Sequence, residues 1–439
     1  MKHSNHQFSQ ARSYTQAIAE IFYISMASKS PLDQELRKYF RIQKKCGSRD
    51  RRFISEALFS LFRWYGWVKP LMPKFAPEKA LESKTFCSAI SAVLYLDKHN
   101  NNPVATFIAE RAQINTERMP IPGPTIEDKK NWLGRHFGLK QLKLEALVPE
   151  WFKDELPKGF NLPDLIETLQ VRPPMWIRLQ GEDAKNKTVE ELRTNKLNPE
   201  VHAIMKKSVK LINPRVNLYE LDSFRKGQFE VQDLASQALG FACQAKPGER
   251  WWDVCAGAGG KTMLLADHMK SKGTLIATDI REWKLEDLKK RARRAGFSNI
   301  TTKGLKKGRA TSKKHTFDGV LVDAPCSCTG TWRRNPDARW NSTENDCIEL
   351  AEIQKEILSK AVSSVKDGGV LVYATCSFSV KENEEIVDFV LKNYPEFSLE
   401  DFPHPLTGAP TNGIMRISPS PEDCDAMFAA RFRYKAATP

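Results

Sequence analysis

Apolar residues recur every three or four positions through the first part of the chain. Ile18, Ile21 and Ile24, or Ile18, Phe22 and Met26, share one face within residues 14–40, and Phe53, Ile54, Leu58, Phe59, Phe62 and Trp64 form a second stripe. This period predicts amphipathic helices, and the aromatic stripe reads as core rather than as a ligand platform. Arg49, Arg51, Arg52 and Arg63 are assigned to the solvated side of the second helix, where they either solubilise it or meet phosphate. Residues 117–130 (ERMPIPGPTIEDKK), with three prolines and a glycine, predict a loop.

The pattern changes near Pro149. MWIRLQ (175–180) and FEVQD (229–233) read as strands and TVEELRTNKL (188–197) as a helix, which predicts a small α+β segment. Farther on, WWDVCAG (251–257), TLIATDI (274–280), GVLVDAP (319–325) and GVLVYATCS (369–377) are short apolar runs separated by helical stretches, including 285–295 and 348–365. Strands alternating with helices predict an α/β fold whose parallel sheet is covered on both faces. The expected organisation is a helical domain over 1–150, an α+β linking domain over 151–228 and a catalytic domain over 229–439. Ligands of such sheets collect beyond the carboxyl ends of the strands. Cys255, Asp279, Asp323 and Cys376 all fall there.

Composition narrows the partners. Sixty-eight Lys and Arg against 53 Asp and Glu give a formal charge of +15, which favours a polyanion such as nucleic acid. The 281–314 stretch carries 13 of those cations against three acids and suggests a positive surface. No apolar run reaches the length of a membrane span, and the polar amino terminus does not resemble a secretory signal. The nine cysteines form no paired CxxC array; Cys326 and Cys328 lie two apart, with no matching His or Cys cluster at zinc-ligand spacing. A reducing, cytoplasmic setting with no metal and no disulfide framework is therefore expected, in which a free thiol can serve as a nucleophile.

DVCAGAGGKT (253–262) places a glycine-rich turn between a strand and a helix. It is not the dinucleotide fingerprint, which would need glycine at Thr262, nor a Walker A loop, which would need glycine at Cys255. Asp279, 26 residues after Asp253, ends the next strand, where a carboxylate can accept hydrogen bonds from ribose hydroxyls. Together the turn and the aspartate suggest a nucleoside site without a pyrophosphate cradle. DAPCSCTG (323–330) and YATCS (373–377) add cysteines at two further strand ends. A thiolate that adds to C6 of cytosine makes C5 nucleophilic, and a second thiol nearby has a use in releasing the product.

RDRRFISEALFSLFR (49–63), QDLASQ (232–237), DVCAGAGGKT, DAPCSCTGTWRRNPDARW (323–340) and YATCSFSVKENEEIV (373–387) occur in the order found in the NOL1/NOP2/Sun (Fmu) RNA 5-methylcytosine methyltransferases. The chain resembles that family over nearly its whole length, most closely its bacterial 16S ribosomal RNA branch. The resemblance implies a Rossmann-like class I methyltransferase domain, a small α+β linking domain and an all-helical NusB-like amino-terminal domain. It also implies S-adenosylmethionine as cofactor, ribosomal RNA as partner and a monomer. It assigns Cys376 as nucleophile and Cys326 to product release, and places the cofactor on Cys255, Ala256, Gly257, Ala258, Gly259, Gly260, Lys261, Asp279 and Asp323.

Three departures stand out. Gly257-Ala258 replaces the family's Ala-Pro before GGKT, Leu305 stands where an acidic residue contacts adenine, and Cys328 takes a glycine position. Arg333, Arg334 and Arg339 follow the Cys326 loop and are expected to hold RNA phosphates, while Lys381, Glu382, Asn383 and Glu384 are expected to stabilise a helix amino terminus. Three other functions remain compatible with the sequence. They are a transfer RNA cytosine-C5 methyltransferase, a methyltransferase for protein or a base amino group, and a ribosome-assembly factor with a degenerate cofactor pocket.

Overall fold

The computed structural model describes residues 5–72, 77–181, 184–212, 216–305 and 314–436. Its contacts separate two compact units, one comprising 1–154, 159–172 and 332–343, the other 155–158, 173–331 and 344–439.

Among its described residues the first unit has helices and no strand, with Asn5–Ser28, Leu32–Ile42, Ser48–Val68, Lys84–Leu96, Pro103–Arg111, Ile126–Phe137 and Leu162–Leu169 as its main elements. The periodic stretch 14–40 is two helices because Pro31 lacks an amide hydrogen and pushes Ser30 out of the helical region. Trp64 is fully buried, as the stripe predicted, and so is Trp67 one turn farther on. Arg63 is not on the solvated side: it is 5% exposed and ion-paired with Asp97, which also accepts from Trp64 Nε1 at 2.7 Å and Ser60 Oγ at 2.7 Å. Arg49, Arg51 and Arg52 do reach solvent.

The predicted 117–130 loop ends early. Thr125 and Asp128 form a reciprocal capping box that starts the helix Ile126–Phe137, with Asp128 N–H donating to Thr125 Oγ1 at 3.1 Å and Thr125 N–H to Asp128 Oδ2 at 3.2 Å. Arg333 and Arg339 also belong to this unit and are 2% and 0% exposed. Arg339 Nη1 donates to the Leu147 carbonyl at 2.8 Å and Nη2 to the Leu169 carbonyl at 3.3 Å. Arg333 Nε donates to the Val171 carbonyl at 3.2 Å. Both arginines tie backbone together rather than facing phosphate; burial lowers the Arg339 guanidinium to about 9.

The second unit holds two sheets. Strands β1 (Met175–Leu179), β2 (Glu200–Val201), β3 (Ser208–Leu211) and β4 (Phe229–Val231) form an antiparallel sheet in the order β2-β3-β1-β4. Strands β5 (Arg250–Asp253), β6 (Thr274–Asp279), β7 (Ile300–Gly304), β8 (Phe317–Asp323), β9 (Val365–Thr375), β10 (Phe397–Leu399), β11 (Ile414–Ile417) and β12 (Met427–Tyr434) form the other. Its order is β10-β12-β9-β8-β5-β6-β7, with β11 also on β12. Strands β5 to β9 are parallel, and both faces are packed: Ala238, Leu265 and Leu321 lie in one core cluster, Trp252, Leu358 and Ile386 in another.

This is the expected Rossmann-like architecture. The chain runs outward from β5 to β6 and β7, then returns to β8 on the other side of β5. The resulting reversal opens a crevice at the carboxyl ends of β5 and β8, the place where such sheets bind ligands. Six strands were not read from the sequence: β2 and β3 of the smaller sheet, and β7 and the antiparallel β10, β11 and β12 of this one. Strand β12 is buried along most of its length even though it contains Arg431, which is 4% exposed because Nη1 donates to the carbonyls of Ala242 and Cys243 at 2.7 and 2.8 Å.

Candidate functional site

The turn after β5 begins the helix Gly260–His268. Gly257 and Gly259 adopt left-handed φ values of 53° and 84°. At Gly259 a side chain is impossible, because a Cβ would lie 2.1 Å from Leu288 Cδ1; at Gly257 a Cβ would meet nothing within 4 Å. One glycine therefore serves packing and the other leaves open space above the turn. The Gly257 amide donates to Asp279 Oδ2 at 2.9 Å, fastening the turn to the tip of β6. Asp279 is 3% exposed and also accepts from the Arg281 amide at 2.8 Å and Arg281 Nε at 3.0 Å. Burial opposes its charge, but these donors outweigh burial and hold the carboxyl below its usual range.

Beneath the turn, Asp253 is fully buried, accepts from Thr262 Oγ1 at 2.6 Å and is pushed up to about 7 by burial. Cys255 packs against the Trp252 core, and burial raises its thiol. Leu305 continues the sheet, its amide donating to the Asp279 carbonyl at 3.0 Å. Lys306, Lys307 and Arg309 lie outside the described residues. Within the rest of the basic stretch, Arg291 and Arg294 are held by buried Glu230 and Arg281 by Asp279. Lys290, Arg293 and Lys303 remain exposed.

At the carboxyl ends of β8 and β9 the cysteine loops meet. Cys326 Sγ and Cys376 Sγ are 3.5 Å apart although 50 residues separate them. The Gly330 amide donates to the Cys376 carbonyl at 2.9 Å, and a Cβ at Gly330 would lie 2.7 Å from that oxygen, so glycine is what lets the loops touch. Lys261, from the turn, pairs with Asp323 at 2.8 Å, and its charge favours the thiolate of Cys376. The turn and the cysteine loops are thus one site. For Cys376, contact with Cys326 pulls the thiol down, while contact with Cys328 and burial carry it well above its ordinary range. Cys328 has φ of 57°, the left-handed region that glycine occupies without strain, so cysteine there costs roughly 1–2 kcal/mol.

Glu382 was read as part of a helix amino terminus. The helix starts at Glu384, and Glu382 is instead fully buried between the two cysteine loops. Oε1 accepts from the Ser327 amide at 2.8 Å and Gln354 Nε2 at 3.0 Å; Oε2 accepts from Ser327 Oγ at 2.5 Å and Ser377 Oγ at 2.6 Å. Tyr373 supports this clamp by donating to Gln354 Oε1 at 2.8 Å. Burial raises the Glu382 carboxyl. Lys381 pairs with Glu155 and, at 3.1 Å, with Glu344. The only local hint of the clamp is that Ser327 and Ser377 each follow a cysteine directly.

Residues 241–433 match the family described as 16S rRNA methyltransferase RsmB/F. The ribosomal RNA small subunit methyltransferase B proteins of Yersinia pestis bv. Antiqua (strain Angola) and Yersinia pseudotuberculosis serotype O:1b (strain IP 31758) are each 30% identical over 410 residues, 89% of this chain and 92% of theirs. The chain belongs to this family. As a member it is an S-adenosylmethionine-dependent methyltransferase that acts on ribosomal RNA. Solved structures share its fold, two of them as follows. PH0851 superposes with a TM-score of 0.69 at 23% identity, over 95% of this chain and 98% of its own. NSun6 from Pyrococcus horikoshii with SFG gives 0.55 at 20% identity, over 66% and 97%. Among the described residues no helix is long and apolar enough to cross a membrane.

Proposed function

We propose that this RsmB/F-family enzyme methylates carbon 5 of a cytosine in 16S ribosomal RNA, with Cys376 as nucleophile and Cys326 as the group that assists release. The observation that carries this reading is the 3.5 Å approach of the two sulfur atoms beside the glycine turn. The turn suits S-adenosylmethionine: the space above Gly257 admits a ligand, and the Asp279 carboxylate can hold ribose hydroxyls once Arg281 swings aside. Gly257, Gly259, Asp279, Lys261 and Asp323 are the residues assigned to that site, with Cys255, Ala256, Ala258 and Gly260 supplying its backbone. When bound, S-adenosylmethionine supplies an electrophilic methyl group.

Cys376 loses its proton, a step that the Lys261 charge favours, and its thiolate adds to C6 so that C5 carries the electron pair for methyl capture. After transfer a base such as water takes the C5 proton, the electron pair left behind restores the C5–C6 double bond, and the C6–sulfur bond breaks with its pair returning to Cys376. Cys326, in contact with that sulfur, is placed to assist the elimination. Glu382 keeps both loops in register throughout.

The cofactor assignment predicts that Asp279→Ala weakens S-adenosylmethionine binding by roughly 1.5–3 kcal/mol, the worth of hydrogen bonds to a charged group. Calorimetry on the folded variant measures it, and an unchanged affinity removes Asp279 from the ribose site. For RNA, the exposed Lys290, Arg293 and Lys303 are the phosphate-binding candidates. Neutralising all three should reduce the slope of log affinity against log salt by about 0.7–0.9 per lost phosphate contact, with cofactor affinity unchanged. RNA titrations at several salt concentrations check this; an unaltered slope moves the RNA track elsewhere.

A further inference from the structure

A C-x-C pair with no partner nearby in sequence lacks a metal-site pattern, yet the fold supplies a third sulfur. Cys326, Cys328 and Cys376 place their Sγ atoms within 4.8 Å of one another, and all three are partly exposed. The Cys326 and Cys376 sulfurs are 3.5 Å apart and Cys328 Sγ donates to the Cys326 carbonyl at 3.3 Å, which makes a closed triangle rather than a pair with a bystander. Zinc–sulfur bonds of about 2.3 Å at tetrahedral angles need sulfurs about 3.8 Å apart, a spacing that small side-chain rotations here would reach. We propose that these three cysteines form a thiolate site for zinc or a similarly soft divalent ion, with the fourth position open to solvent.

Three arguments support it. Cys328 occupies a left-handed backbone position, where cysteine is strained and glycine is not, so the extra sulfur is held against a local cost. Three thiolates around a divalent ion carry a net charge of −1, and the Lys261 ammonium already acts on this cluster. Finally, the Glu382 oxygens are occupied by Ser327, Ser377 and Gln354 and the Asp323 carboxylate by Lys261, so among the described residues the three sulfurs are the soft donors gathered at this end of the site. Binding is an exchange without oxidation. Three S–H bonds break, three metal–sulfur bonds form and up to three protons pass to solvent, so affinity rises with pH. A bound ion would mask Cys376 and reversibly block methyl transfer. The site uses the same cysteines as the proposed chemistry, but its existence does not depend on that chemistry.

The test uses the full chain, reduced and stripped of metal, titrated with Cd2+ while following the sulfur-to-metal charge-transfer absorbance, and with Zn2+ in competition with a chromophoric chelator. The wild type should take up one tightly bound equivalent with proton release. Cys328→Gly and the size-preserving Cys328→Ser should each lose roughly 100-fold in affinity, the upper end of what losing even an indirect partner of a bound metal costs, and inhibition is read for each protein against its own metal-free rate. Zn2+ should inhibit the wild type, with recovery on adding chelator, at concentrations that spare both variants. Equal affinity in the wild type and both variants, or no thiolate charge transfer at one equivalent, would overturn the site. Absence of methyl transfer by the metal-free wild type would instead count against the cytosine reading and leave the metal titration decisive.

Discussion

Replacing Cys376 with serine should abolish methyl transfer, with a fall in kcat on the order of 10⁴ to 10⁶, as when an enzyme loses its nucleophile. A serine hydroxyl in the same position is a far poorer nucleophile than a thiolate, and Lys261 cannot compensate for that difference. No covalent RNA should accumulate in this variant. Cys326→Ser should behave differently. Attack and methyl capture remain available to Cys376, but elimination slows, and a protein–RNA species that survives denaturing electrophoresis builds up. That species should require S-adenosylmethionine and should vanish in the double variant. Radiolabelled cofactor and substrate RNA, run on a denaturing gel, distinguish these outcomes. Covalent product from Cys376→Ser but not Cys326→Ser would reverse the two roles, and full turnover by the double variant would end the 5-methylcytosine reading.

The second large effect is expected at Glu382, a residue that need not touch the substrate. Glu382→Ala deprives the Ser327 amide, the Ser327 and Ser377 hydroxyls and the Gln354 amide of their shared acceptor inside a closed pocket. Each buried donor left unpaired costs about 1–3 kcal/mol. Partial relaxation brings the sum to roughly 3–5 kcal/mol, or a fall in Tm on the order of 10 °C for a unit of this size. The cysteine loops also lose their common anchor, so methyl transfer should fall about 10²-fold from misplacement alone. Glu382→Gln, which keeps one acceptor oxygen, should lie between the variant and the wild type on both measures. Thermal melts and initial rates that leave Glu382→Ala indistinguishable from wild type would show that the clamp is dispensable.

The sequence alone determined the features that depend on neighbours close in the chain. Helical spacing marked the stripe from Phe53 to Trp64, and the strand–helix rhythm marked β5, β6, β8 and β9 with Asp279, Asp323 and Cys376 at or just beyond their tips. The ordered motifs then pointed to the family. Local patterns carry this information because the periods of 3.6 and 2 are properties of the backbone itself. Strand order and direction are different. Strand β12 inserts antiparallel between β9 and β10, a choice settled by which buried faces fit together rather than by any property of MFAARFRY.

Charge was the least legible feature. Arg63, Arg333 and Arg339 look like a solvated surface in a chain with +15 net charge, yet each is buried against carbonyl or carboxylate partners far away in sequence. Leu147 lies 192 residues from Arg339, and Glu382 reaches back 55 residues to Ser327. No window along the chain contains such pairs. The triangle of Cys326, Cys328 and Cys376 has the same origin: the sequence supplied three thiols, and only the parallel pairing of β8 with β9 brought the third beside the other two. Whether a polar side chain meets water, a ligand or another residue depends on which strand ends become neighbours, and the tertiary structure alone decides that.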